Sequence, residues 1–236
     1  MKLDTIYRER FVASGLERRN QVWRTLCRFF FSRHIAPTDR VLELACGYGE
    51  FINNIAASAK FAVDLNPDSR HHVASDVTYH HGPATDLSFV PDESVDVVFT
   101  SNFLEHLPSK QACDEVFAAV RRKLRPGGLF LILGPNIRYA HREYWDFYDH
   151  FLPLSHLSLA EGLTLAGFTP RLVVPRFLPY TMTGRLPVHE TLIRAYLAMP
   201  LAWRVLGKQF FVVAERPSAD GGTPARSTPA PAASVA

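Results

Sequence analysis

A chain of 236 residues with 47% hydrophobic content is long enough for one sizeable α/β domain with appendages, and too apolar to be disordered throughout. Lys and Arg number 26 against 23 Asp and Glu, a formal charge of +3, too little for a dedicated nucleic-acid binder. Cys27, Cys46 and Cys113 form no CxxC pair and no metal-ligand spacing, which argues against a disulfide framework and for a reducing, cytoplasmic home.

The first residues, MKLDTIYRER, show no apolar core of a secretory signal. No run of about 18 uncharged apolar residues marks a membrane span. Residues 3–35 read as one or two helices rich in Arg and rings, including CRFFFSRH, and form an expected N-terminal helical cap over 1–35. A regular alternation follows. Strand patterns occupy 40–44 (RVLEL), 60–64 (KFAVD), 95–100 (VDVVFT) and 129–133 (LFLIL). Helical patterns lie between them: one begins at FINNIAA, and 110–124 carries Val116, Val120 and Leu124 on one face. Strands alternating with helices predict a parallel sheet covered on both sides.

A shorter helix is predicted over 158–166, with Ser158 and Glu161 as a capping box and Gly167 just past its end. Strands at 170–174 and 209–214 close the domain, which spans 36–216. Between them lies an apolar, Pro-rich insertion at 177–208. It reads as a lid or a homodimer contact, with peripheral membrane contact through an interfacial helix as the alternative. Residues 217–236 are almost all Pro, Ala, Ser, Thr and Gly. They cannot bury enough surface to offset ordering, so a disordered tail is expected.

The stretch VLELACGYGEF, residues 41–51, raises the functional question. An apolar strand breaks into small residues and then into a helical pattern, a turn that brings bare backbone close to a ligand. The dinucleotide fingerprint wants a third glycine, yet Gly47 and Gly49 are followed by Ile52. Asp64 ends the second strand, where a carboxylate can accept both hydroxyls of a ribose. These residues point to an adenosine-containing ligand without saying which.

ELACGYG, then VDLNP, then GPATDLSFVPDESVDVVFTSNFLEHL and LRPGGLFLILGPN together resemble the class I S-adenosylmethionine-dependent methyltransferase family. The resemblance covers about residues 40–136, and its strand order extends to about residue 215. It implies a Rossmann-like, doubly wound, mostly parallel seven-stranded sheet with helices on both faces, and S-adenosyl-L-methionine as cofactor. Ala45, Cys46, Gly47 and Gly49 would wrap the methionine part, with Glu43 joining the network around its amino group. Asp64 would hold the ribose, Leu65 would line the adenine pocket, Asp86 and the Leu87 backbone would read the ring, and Asn102 would lie by the methionine end. The family's motif has glycine where this chain has Ala45, a change that keeps the turn if the residue's φ is negative. Asp96 is expected only to order the start of its strand.

Methyl transfer to an alcohol benefits from a base. His106 in NFLEHLP and His150 in the loop after the fifth family strand are the candidates. Tyr144, Trp145, Tyr148 and His156 offer rings beside polar groups, a mix that suits a sugar or glycan acceptor but also ordinary packing. Asp149, His150 and His156 match no familiar ligand spacing, so no metal is expected. A weaker resemblance of the last third to methyltransferases of bacterial surface-polysaccharide synthesis favours a sugar hydroxyl. A quinone or other aromatic acceptor, or a cofactor-binding protein without catalysis, are the alternatives.

Overall fold

The computed structural model describes residues 15–180 and 189–218. Residues 1–14 of the expected cap, 181–188 of the insertion and 219–236 of the expected tail lie outside the described residues. Helix α1 (Leu16–Phe29) buries Val22, Trp23, Leu26 and Cys27 on one stripe, and a single 3₁₀ turn, Phe31–Arg33, follows it. Then come β1 (Arg40–Leu44), β2 (Ala59–Asp64), β3 (Val77–His81), β4 (Val95–Ser101), α2 (Lys110–Lys123) and β5 (Leu124–Pro135). The short α3 (Ile137–Ala140), α4 (His156–Leu165), β6 (Thr169–Val174), α5 (Glu190–Leu197), α6 (Pro200–Leu206) and β7 (Gln209–Glu215) complete the described chain.

The seven strands form one sheet in the order β3-β2-β1-β4-β5-β7-β6. All neighbours are parallel except β7, which runs antiparallel to both β5 and β6. The order reverses between β1 and β4, so a crevice opens beyond their carboxyl ends, where open α/β sheets bind ligands.

Strand periodicity divides the core in two. Val41, Val97, Phe99, Leu131 and Phe211 face α1, α5 and α6, whereas Leu42, Val98, Phe130, Ile132 and Val212 face α2 and α4. On the first side a ring cluster positions the future site. Phe51, at the exit of the glycine turn, stacks on Phe99 of β4 at 3.7 Å, and Phe31 meets both edge-on at 5.6 and 5.1 Å. The turn after β1 is thereby bolted to the core immediately behind it.

Four local expectations are corrected. FINNIAA makes one turn and no regular helix: the amides of Asn54 and Ile55 both donate to the Phe51 carbonyl. The reason is chemical, since Asn side chains compete for backbone partners. Asn53 reaches out to the His72 carbonyl and the Ala74 amide at 2.9 Å each, and Asn54 folds back on the Glu50 carbonyl at 2.8 Å. The edge strand β3 has no clean alternation in VTYHH and was not among the patterned strands. Strand β5 begins at Leu124, five residues early, pairing irregularly with Val95. Helix α4 starts at His156, with Ser155 as its cap and Ser158 closing the box that Glu161 was expected to close.

Gly167 has φ +82°. With the Gly167 amide on the Thr164 carbonyl and the Phe168 amide on that of Leu163, α4 ends in a Schellman motif. Asp96, expected to order the start of its own strand, instead ties in the starts of the neighbouring strands, accepting from the Arg40 amide of β1 at 2.8 Å and the Arg125 guanidinium of β5 at 2.6 Å.

The described part of the insertion packs against α1. Phe177 stacks on Phe30 at 4.3 Å, the Arg194 guanidinium lies 4.4 Å over the Phe29 ring, and the Trp203 indole donates to the Tyr196 carbonyl at 2.8 Å. No helix among the described residues is long and apolar enough to cross a membrane.

Candidate active site

Both strands that border the crevice end in a left-handed residue. Ala45 follows β1 with φ +50°, and Asn102 follows β4 with φ +48°. The condition set for Ala45, a negative φ, is not met: a residue with a Cβ sits in the left-handed region, at a cost of roughly 1–2 kcal/mol. Gly47 and Gly49, at φ +54° and +73°, complete a turn that only small residues tolerate. Cys46 is buried within it, its carbonyl accepting from the Gly49 amide at 2.8 Å.

Asp64 holds this turn from the neighbouring strand. One carboxylate oxygen accepts from the Gly47 amide and the other from the Asn66 amide, both at 2.7 Å. An ionised carboxylate has about four acceptor sites, more than these two amides use. Glu43 does a related job from β1. It is buried and accepts from the Ile52 amide at 3.0 Å, so it ties the strand to the turn's exit rather than lining the open crevice. Burial pushes Glu43, Glu50 and Asp64 above the usual carboxylate range, and Glu43 is raised further by the other two.

This arrangement has a measurable consequence. A carboxyl raised on folding holds a proton that the unfolded chain releases above about pH 4.5. Its contribution is complete below that value and is lost as pH rises toward the folded pKa, with a limiting slope of about 1.4 kcal/mol per pH unit. Glu43→Gln keeps an acceptor for Ile52 and removes this dependence. Denaturant titrations at pH 4 and pH 7 are expected to show the variant gaining relative to the parent at the higher pH. A difference independent of pH would mean Glu43 is not a buried proton holder.

Around the expected adenine side, Leu65 is 53% exposed beside the buried Asp64, an apolar surface open at the crevice. Asp86 is exposed and held locally: Ser88 donates its hydroxyl and amide at 2.7 and 3.2 Å, and His80 lies 3.2 Å away. The Ser88 hydroxyl, then its amide, lowers the Asp86 pKa. The Leu87 side chain is buried, while its amide donates to no acceptor among the described residues.

Beyond the carboxyl end of β4, loops distant in sequence meet. Glu105 and His106 lie in a 3₁₀ turn just after Asn102. The Glu105 carbonyl accepts from the amides of Phe151 and Leu152 at 2.8 and 3.0 Å, which stitches this turn to the loop after β5. His106 Nδ1 lies 2.8 Å from the Asp149 carbonyl and 3.3 Å from its carboxylate. His150 packs against His106, Phe147 and Tyr144, with ring centroids 4.9, 4.9 and 4.6 Å away. Tyr144 is fully buried, whereas Trp145 and Tyr148 are 59% and 91% exposed, so the ring-rich stretch splits into an inner wall and an outer face. The Tyr144 and Tyr180 hydroxyls are buried without a partner among the described residues. Burial raises both phenols, and the nearby Glu105 charge raises them further. Lys208 pairs with Glu143 at the loop's base.

His156 does not join this group. Its Nδ1 lies 2.9 Å from the Asn136 amide nitrogen, which also donates to the Pro175 carbonyl at 2.8 Å. Burial and the nearby Arg138 lower its pKa, so a neutral ring pins the start of α4 to the end of β5. Glu105 and Tyr180 are the residues that sequence reasoning missed, and Asp149 was considered only as a metal ligand. Glu105 stood in the quoted NFLEHLP, whereas nothing local marks Asp149 as the partner of a histidine 43 residues upstream.

Residues 42–132 match the family described as Methyltransferase domain. A probable S-adenosylmethionine-dependent methyltransferase of Mycolicibacterium smegmatis is 39% identical over 157 residues, which are 59% of each chain. The chain thus spans less than two thirds of that relative's length. An uncharacterised methyltransferase of Synechocystis is 34% identical over 57% of this chain and 69% of its own. A demethylmenaquinone methyltransferase of Symbiobacterium thermophilum is 28% identical over 61% and 64%. Among solved structures, an S-adenosylmethionine-dependent methyltransferase of Archaeoglobus fulgidus superposes with a TM-score of 0.66 at 22% identity, covering 91% of this chain and all of that one. With its left-handed turn after β1, its carboxylate at the end of β2 and its single reversed strand, the chain belongs to the class I S-adenosylmethionine-dependent methyltransferases.

Proposed function

We propose that this protein transfers the methyl group of S-adenosylmethionine to a hydroxyl oxygen of a small acceptor, a sugar hydroxyl in a glycan or glycan precursor. The residues present suit the cofactor. Ala45–Gly49 and Glu43 shape the turn for its methionine part, Asp64 has acceptor capacity for the ribose, and Leu65, Asp86 and the Leu87 amide border the adenine. Asn102 stands at the methionine end. A bound sulfonium supplies an already activated methyl group, so the chain's main task is to align an oxygen with it, worth roughly 7–11 kcal/mol.

The observation that carries the acceptor reading is the split loop after β5. Glu105, His106 and His150 gather proton-accepting groups behind Tyr144, while Trp145 and Tyr148 present exposed ring faces. Polar groups that take a hydroxyl's proton, beside rings that stack on a pyranose face, fit a carbohydrate. In the transfer the hydroxyl gives its proton to this group as the oxygen–carbon bond forms, and the carbon–sulfur pair returns to sulfur. A second reading, a quinone-type aromatic acceptor, is favoured by the demethylmenaquinone methyltransferase relative and by the same exposed rings.

Methyl-labelled S-adenosylmethionine added with the purified protein to a bacterial lysate separates the two. Label is expected in the glycan or sugar-nucleotide fraction. Label confined to solvent-extractable aromatics would replace the sugar with a quinone, and label nowhere despite cofactor binding would remove catalysis from the reading.

A further inference from the structure

We propose that Glu105, His106 and His150 bind a divalent first-row transition-metal cation, which receives the acceptor through two adjacent oxygens. Each of the three residues offers one ligand atom, and these atoms all lie within 4.8 Å of one another. Two imidazoles and a carboxylate are a donor set suited to such cations, and three protein ligands leave positions open for a substrate. Ligand atoms about 2.0–2.2 Å from a common cation stand roughly 3–3.5 Å apart. The group therefore has to draw in by about 1 Å, within the reach of side-chain rotation.

The surroundings are arranged for that step. His106 already engages Asp149 through Nδ1, which leaves Nε2 as its coordinating atom. Metal-bound histidines carry such an oxygen partner on their other nitrogen. Glu105 and His150 are buried, so their electrostatic attraction for a cation is weakly screened. The two segments that carry the ligands are joined by the bonds from Phe151 and Leu152 to the Glu105 carbonyl, which limits the ordering that binding requires. Tyr144 is an independent sign. Its hydroxyl is fully buried and lacks a partner among the described residues, and its ring adjoins both His150 and the Glu105 charge. A cation-bound oxygen at this point would give that hydroxyl the acceptor it is missing.

Cation binding stands apart from the activity, whereas the acceptor half rests on the proposed methyl transfer. An acceptor with neighbouring oxygens would chelate the open positions, and, with Glu105, His106 and His150 engaged on the cation, one hydroxyl would release its proton to solvent in place of these residues. That oxygen then takes the methyl group while the carbon–sulfur electron pair goes to sulfur. The cation is unchanged in charge and oxidation state.

Chelator-stripped protein dialysed against Co²⁺ provides the test, read as bound cobalt per chain and as visible absorption. One Co²⁺ per chain is expected, with uptake weakened tenfold or more in His150→Ala, Glu105→Gln and His106→Ala. His106 is only partly buried, so its variant keeps the test valid if a core substitution fails to fold. No uptake by the parent protein, or uptake that all three variants leave unchanged, would overturn the site. Calorimetry with S-adenosylhomocysteine runs in parallel: its failure to bind would sink the methyl-transfer reading and leave the cation site standing. Cobalt uptake combined with equal methylation rates before and after stripping would overturn the acceptor half alone.

Discussion

Replacing Asp64 with alanine is expected to weaken S-adenosylhomocysteine binding by about tenfold or more and to destabilise the free protein by about 2–4 kcal/mol. The affinity loss follows from the ribose hydroxyls that its carboxylate would accept. The stability loss follows from the two bonds already present: without the carboxylate, the Gly47 and Asn66 amides lose their acceptor. An unsatisfied buried donor costs about 1–3 kcal/mol, and removing a buried charge returns part of that. The two 2.7 Å bonds are why a structural cost is expected beside the change in affinity. Asp64→Asn separates the effects, because its remaining carbonyl can keep one amide satisfied. Calorimetry and urea titration on both variants check the prediction. Parent-like affinity in Asp64→Ala would show that the ribose lies elsewhere.

His106→Ala is expected to slow methyl transfer by about 10²- to 10⁴-fold while changing S-adenosylhomocysteine affinity by no more than about threefold. The ring is partly exposed, its Nδ1 is fixed by Asp149, and it packs on His150. This is the geometry of a group held for use rather than for stability. Single-turnover rates with labelled cofactor would measure the first quantity and calorimetry the second. Were affinity and rate to fall together, His106 would belong to the cofactor side of the crevice.

The cofactor half of the molecule was largely legible because its elements follow one another closely. VLELACGYG carries its strand, its turn and its small residues within nine positions, and β2 delivers Asp64 soon afterwards. The left-handed Ala45 was not legible, because a small residue fits either hand and only the backbone decides. The histidine-bearing loops after β4 and β5 were harder to read for a different reason. Their contacts join Glu105 and His106 to Asp149 and Tyr144 across some 40 residues, and no local period encodes such a meeting. The ring-rich YWDFY stretch shows the same limit: composition identified its chemistry, but only packing revealed that Tyr144 faces inward while Tyr148 faces solvent. Helix α4 was found from its Gly167 stop, and its start was misplaced because two serines three residues apart could each serve as cap.

The antiparallel course of β7 has a consequence for how such a protein can change. Val174, ending β6, pairs with Phe211, and Gln209, opening β7, pairs with Pro135 at the end of β5. Everything between those strands, from 175 to 208, therefore leaves and re-enters the sheet at the same rim as the crevice. Chain can be added or removed there without shifting the register of any strand, and each doubling of loop length costs only about 0.6 kcal/mol in closure. The fold thus leaves a socket after β6, where one segment can be exchanged while every strand keeps its place.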